Sequence, residues 1–257
     1  MREKNIIVKG INLRFYQSDD FDGKRRPLVF LHGWGVSALS LQDIFVYCRN
    51  WLALDFPGFG GSELPPRSWS LADYANLLED FLVKMKVTHP VLIGHSFGGR
   101  VVIKYCAEPR KAMPRQIVLI ASAGLRSRSL RLCCSKIAAK VLKLPFLLPG
   151  LRRWKNKARQ AFYRYLHSAD YLAAGPLSEI FRRVVGEDLR YALPKIKIPA
   201  LLIWGNQDKE TPLSAGKEMS RLLPQAKLKL IKGANHFPFQ GPRKDEFKEI
   251  FLKFVPC

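Results

Sequence analysis

The chain has 257 residues and a mass of 29.3 kDa, with 47% hydrophobic and 25% charged residues. These are the proportions of one globular α/β domain with an insertion, and they exclude a disordered, collagen-like or minimal stapled chain. Lys and Arg total 43 against 21 Asp and Glu, a formal charge of +22. That excess points to an acidic partner, an anionic surface or a basic proteome, and it says nothing about fold.

In chain order, residues 5–9 and 11–16 read as two short strands around Gly10, a hairpin. Residues 27–31 form a compact apolar run ending at His32-Gly33, and residues 51–55 form another, closed by Pro57, Gly58, Gly60 and Gly61. Residues 71–86 have helical spacing, with Leu71, Tyr74, Leu77, Leu78, Phe81 and Leu82 on one face. A buried strand is expected at 90–94, a helix at 98–107 and a strand at 116–121. Further strands are expected at 199–204 and 227–231, with a closing helix at 246–254. Near-continuous apolar strands separated by helices favour a mostly parallel sheet covered on both faces.

Residues 123–190 break this pattern. No strand is evident there, and the segment carries 15 Lys or Arg against 4 acidic residues. Because the sheet pattern resumes afterwards, it reads as an inserted helical cap between core segments 1–122 and 191–257. Within it, Lys136, Lys140 and Lys143 share one helical face, while Cys133, Ile137, Val141 and Leu144 face another way. The plain reading is a cap helix with its apolar side over a pocket. The sharper one, extended by the basic run 151–157, is contact with an anionic lipid surface or an acidic carrier protein. A nucleic-acid partner is disfavoured, since no recognised binding module is present.

The five cysteines, Cys48, Cys106, Cys133, Cys134 and Cys257, contain no C-x-x-C and no zinc spacing. Cys133 and Cys134 read as packing residues. No apolar leader and no run of 18 apolar residues is visible, so the cytoplasm is the expected address.

The chemistry-bearing motif is Gly94-His95-Ser96-Phe97-Gly98, a G-x-S-x-G between an expected strand and an expected helix. A sharp turn there lifts the Ser96 hydroxyl clear of the sheet, and the helix start aims free N–H groups at it. A serine needs a base, and the base needs an orienting carboxylate. His236 follows the last strand and Asp208 follows the strand at 199–204, so both fall on the sheet edge that carries Ser96. Asp208 also has a plain reading as a turn or cap residue. The backbone N–H groups of Phe97 and Trp34, the latter in His32-Gly33-Trp34-Gly35, are the expected oxyanion donors. His32 is read as shaping that loop, His95 is given no role, His89 is read as solvated, and His167 as surface or packing. These histidines are too scattered for a metal site. The glycine-rich stretch after Asp55 is read as a turn beside the site, because it lacks a nucleotide-loop pattern.

Taken together, the motifs at His32–Gly35, Asp55–Ser62, Gly94–Gly99, Gly205–Asp208 and Gly233–His236 make the chain similar to the α/β-hydrolase family. It resembles the capped esterase and C–C hydrolase branch, and the His-Gly-Trp-Gly opening is similar to that of pimeloyl-carrier-protein methyl esterases. The resemblance implies an α/β-hydrolase fold with an eight-stranded sheet, a helical cap, no cofactor, and acyl-serine chemistry carried by Ser96, Asp208 and His236. Serine at position 96 disfavours the family's epoxide hydrolase and dehalogenase activities, which use aspartate there. The expected substrate is a small-molecule carboxylic ester of short to medium acyl chain. Lactones, vinylogous diketones and carrier-protein methyl esters are alternatives, and a small-ligand receptor is the non-catalytic one.

Overall fold

The computed structural model describes residues 1–126 and 175–255. It divides into two compact units, one of Met1–Leu125 with Glu187–Cys257 and one of Arg126–Gly186. The expected cap was bounded at 123 and 190. The basic helical stretch 130–144, the run 151–157, Cys133, Cys134, His167 and Cys257 lie outside the described residues.

The first unit is built on one eight-stranded sheet. Its strands are β1 (Arg2–Val8), β2 (Ile11–Gln17), β3 (Leu28–Leu31), β4 (Trp51–Leu54), β5 (Val91–His95), β6 (Gln116–Ile120), β7 (Ala200–Gly205) and β8 (Ala226–Ile231). They lie in the order β1-β2-β4-β3-β5-β6-β7-β8. The first hairpin is antiparallel, with Val8 opposite Ile11, and β2 is antiparallel to β4. Every later pairing is parallel. β1 starts at Arg2, earlier than its apolar pattern suggests. Its charged first residues are exposed, and backbone pairing with β2 extends the strand without any burial.

The central strands are buried on both faces because helices cover both. On one face Phe30, Ile93, Val118 and Ile203 pack with Ile44 and Phe45 of α1 (Gln42–Phe45) and with Phe247 and Phe251 of α6 (Lys244–Leu252). The opposite face carries α2 (Leu71–Lys84), α3 (Phe97–Cys106) and α5 (Leu213–Leu222). α2 opens on a capping box, in which the Asp73 carboxylate accepts from the Ser70 N–H at 2.8 Å and the Ser70 hydroxyl accepts from the Asp73 N–H. Its buried stripe is the one its spacing predicts, and Phe81 meets Phe15 of β2 edge-on at 5.5 Å. In the second unit, α4 spans Ser178–Gly186 and buries Ile180 and Val184.

α1 and α5 have no counterpart in the sequence reading. α1 is a single turn, too short to show periodicity. α5 starts after Pro212 with no side-chain cap and buries only Gly216 and Met219. Such a helix leaves almost no apolar stripe to read.

Candidate active site

The parallel strands β3, β5, β7 and β8 all end on one edge of the sheet, and each delivers a loop there. β5 ends at His95, and α3 begins at Phe97. Only Ser96 lies between them, at φ 51° and ψ −109°. A non-glycine residue in that region is strained by about 1–3 kcal/mol, and the packing around it must hold it there. The packing is visible in two glycines. A Cβ on Gly94 would lie 2.5 Å from the Gly99 nitrogen, and one on Gly98 would lie 2.0 Å from the Leu31 carbonyl oxygen. The Ser96 N–H donates to the Ile120 carbonyl at 3.0 Å, and its carbonyl accepts from Ala123 at 3.0 Å. Strand, turn and helix are thus clamped against β3 and β6.

Asp208 and His236 meet. His236 Nδ1 lies 2.9 Å from Asp208 Oδ2, and both residues are buried. The other oxygen, Oδ1, accepts the backbone N–H groups of Glu210 and Thr211, each at 2.9 Å. The turn role and the imidazole-holding role of Asp208 therefore coexist, one on each oxygen. The Thr211 hydroxyl donates to Oδ2 at 2.8 Å and sits 3.0 Å from the Ala121 carbonyl. Burial by itself raises the Asp208 pKa. The hydrogen bond and charge of His236, with the Thr211 donors, outweigh it, so the net shift is downward.

Ser96 is joined to this pair through its neighbour. The His95 ring lies 4.8 Å from that of His236, and its Nε2 is 3.0 Å from the His236 carbonyl oxygen. Among the described residues the Ser96 hydroxyl makes no hydrogen bond to His236. Nε2 of His236 instead lies 3.4 Å from the Glu210 carboxylate, whose side chain is 62% exposed. Glu210 and Thr211 were not singled out from sequence. The acceptor-and-donor spacing Asp208-x-x-Thr211 was the available signal for Thr211.

The His32–Gly35 loop closes the other side. A Cβ on Gly33 would lie 3.5 Å from the Ser96 Cβ, so the loop backbone approaches the serine closely. The Trp34 ring packs edge-on against Phe97 at 5.3 Å and Phe59 at 4.9 Å. Phe97 is the first residue of α3, where the N–H has no preceding helical carbonyl. His32 is buried. Its Nδ1 is 2.7 Å from the Gly33 carbonyl, and Nε2 accepts from the Phe56 N–H at 3.0 Å. Burial pushes its pKa down to about 4, so the neutral ring serves as a brace between the two loops. His95 is pushed down to about 3, by burial first and then by the neighbouring His236.

Asp55 explains the glycine-rich turn. This fully buried carboxylate accepts from the N–H groups of Ala38 (2.7 Å) and Gly61 (2.9 Å) and from Arg14 Nε at 2.9 Å. It ties the Ala38 segment and the turn at residues 55–61 to β2. His89 is exposed, and Cys48 and Cys106 are buried free thiols. Among the described residues no cluster of His, Cys, Asp and Glu has the arrangement of a metal site. No described helix is long and apolar enough to cross a membrane.

A family model described as "Alpha/beta hydrolase family" matches residues 28–249. The chain belongs to the alpha/beta hydrolase family. The hydrolase is 25% identical over 267 residues to AB hydrolase superfamily protein YisY of Bacillus subtilis, covering 90% of this chain and 92% of that one. It is 23% identical to a 2-hydroxy-6-oxononadienedioate/2-hydroxy-6-oxononatrienedioate hydrolase of Paraburkholderia phymatum, with 98% and 94% covered. Among solved structures, an esterase from Exiguobacterium antarcticum superposes with a TM-score of 0.72 at 20% identity, covering 98% of this chain and 99% of the other. The eight-stranded, mostly parallel sheet flanked by helices is the family's fold.

Proposed function

We propose that this hydrolase cleaves carboxylic esters through an acyl intermediate on Ser96, with His236 as base and Asp208 holding the imidazole. The observation that carries this reading is the buried Asp208–His236 pair, 2.9 Å apart, whose histidine packs against the residue preceding a serine on a strained turn.

Asp208 accepts the hydrogen bond from Nδ1–H and so keeps the imidazole proton on Nδ1, which leaves Nε2 as the nitrogen with a free lone pair. Nε2 exchanges its Glu210 contact for the Ser96 hydroxyl as substrate enters; catalytic contacts commonly tighten on binding. Ser96 Oγ then attacks the acyl carbon while its proton passes to Nε2. The negative charge that develops on the carbonyl oxygen is met by the N–H groups of Trp34 and Phe97, each worth about 2.7–4 kcal/mol. His236 returns the proton to the leaving alcohol. Water, deprotonated by the same imidazole, releases the acid and restores the serine.

The relative from Paraburkholderia phymatum supports a second reading, hydrolysis of a C–C bond in a vinylogous diketone. One panel separates the readings: nitrophenyl esters of graded length, lactones and a diketone, each with Ser96→Ala as control. Fluorophosphonate labelling of Ser96 with turnover of esters is the expected result. Labelling without turnover of any substrate marks a receptor and overturns the proposal, and turnover of the diketone alone selects the second reading.

A further inference from the structure

The end of the sheet opposite Ser96 is lined by cations. One precedes each of five neighbouring parallel strands: Arg49 before β4, Arg26 before β3, Lys86 before β5, Arg115 before β6 and Lys197 before β7. All five are exposed, and Arg49 feels the charge of Asp20. The strand starts are level, since Leu28 pairs with Trp51 and with Val91, Val91 with Gln116, and Ile117 with Ala200. Backbone bonds join the loops side by side. Leu28 donates to Asn50, Thr88 to Gly23, Arg115 to Pro90 and Ile117 to Pro199. With strands about 4.8 Å apart, the five strand starts that these cations precede span roughly 19 Å along the sheet.

Lys24, Arg25 and His89, also exposed, lie in the same loops. The nearby carboxylates are Asp22, which pairs with Arg25 at 3.3 Å, and Asp20, which accepts from the Asn50 N–H. Two exposed aliphatic residues sit at the helix ends that lead into these loops, Val46 just after α1 and Val83 in the last turn of α2. Val46, 82% exposed, comes three residues before Arg49, and Val83, 45% exposed, three before Lys86.

We propose that this strand-end face docks the hydrolase on an anionic lipid surface. Cations spread along five neighbouring strand starts engage several headgroups at once, and the exposed valines reach the acyl boundary as interfacial anchors do. A duplex nucleic acid would gain nothing from the valines. The face lies at the far end of the strands from Ser96, so docking leaves the reaction edge clear. The proposal does not depend on the ester reading.

The test is flotation with vesicles of phosphatidylcholine alone or with 30% phosphatidylglycerol, at 0.1 M salt. The first variant changes Arg26, Arg49, Lys86, Arg115 and Lys197 to Gln. The control removes the same charge away from the strand starts, at Lys4, Lys217, Lys229, Lys232 and Lys244. Each cation near an anionic surface is worth about fivefold in binding. The first variant should lose at least about 100-fold for phosphatidylglycerol vesicles, and the control less than about tenfold. Val46→Ser with Val83→Ser should weaken binding without changing its salt dependence. Equal losses in the two charge variants, equal binding to neutral vesicles, or displacement of vesicles by equimolar duplex DNA would each overturn the proposal. Circular dichroism confirms folding. If the five-site variant does not fold, Arg26→Gln and Arg115→Gln are read singly, and each must cost about fivefold.

Discussion

Asp208→Asn tests the proposed chemistry with almost no change in shape. In the native site Oδ1 accepts two backbone N–H groups, so the amide oxygen of the variant is held at that position. The NH2 group is thereby forced into the place of Oδ2, facing His236 Nδ1. It can only donate, so Nδ1 must become the acceptor and the imidazole proton moves to Nε2. The ring then presents a proton, not a lone pair, to Ser96. A tautomer error of this kind lowers turnover by about 10⁴, which is about 5 kcal/mol of transition-state stabilisation. The Thr211 hydroxyl retains the Ala121 carbonyl as a partner, so the turn should survive. The assay is kcat/KM on nitrophenyl butyrate at pH 8, with urea unfolding as the stability control. A loss of less than tenfold in a folded variant would refute the role given to Asp208.

Ser96→Ala should lower ester turnover at least about 10⁴-fold while the protein stays folded. Ser96→Gly should be as inactive yet gain about 1 kcal/mol in urea unfolding, because glycine tolerates φ 51°; unchanged stability would remove the strain argument. Gly98→Ala places a methyl 2.0 Å from the Leu31 carbonyl and should destabilise by more than about 4 kcal/mol, read by the same method. Asp55→Ala strands the Ala38 N–H and the Arg14 guanidinium and should cost about 3–5 kcal/mol in urea unfolding. His32 and His95 stay neutral in the folded chain down to about pH 4 and about pH 3, whereas unfolded imidazoles take up protons near pH 6.5. Below pH 6.5 the unfolded state binds more protons, so stability should fall as pH drops. Urea midpoints at pH 7, 6 and 5, above the range in which carboxylates titrate, should decline, and a flat series would contradict the burial argument.

Much of this was legible in the residues themselves. Local pattern marks the strands that flank Ser96, because a strand buried on both faces leaves a continuous apolar run. The elbow is legible for a steric reason, since small residues are required wherever backbones touch. Chain order and strand ends set Asp208 and His236 on the edge that carries Ser96. α1 and α5 stayed hidden, one too short and one too polar to show a period. Only the folded chain decided the rest. Whether Asp208 serves its turn or its histidine depends on which donors surround each oxygen, and those come from residues 210, 211 and 236. Glu210 at 3.4 Å from Nε2, the Asp55 hub and the cations that precede level strand starts likewise join residues far apart in sequence. Pattern along a chain records what each segment buries. Which polar groups share a site is set by how the segments pack, and no local period encodes that.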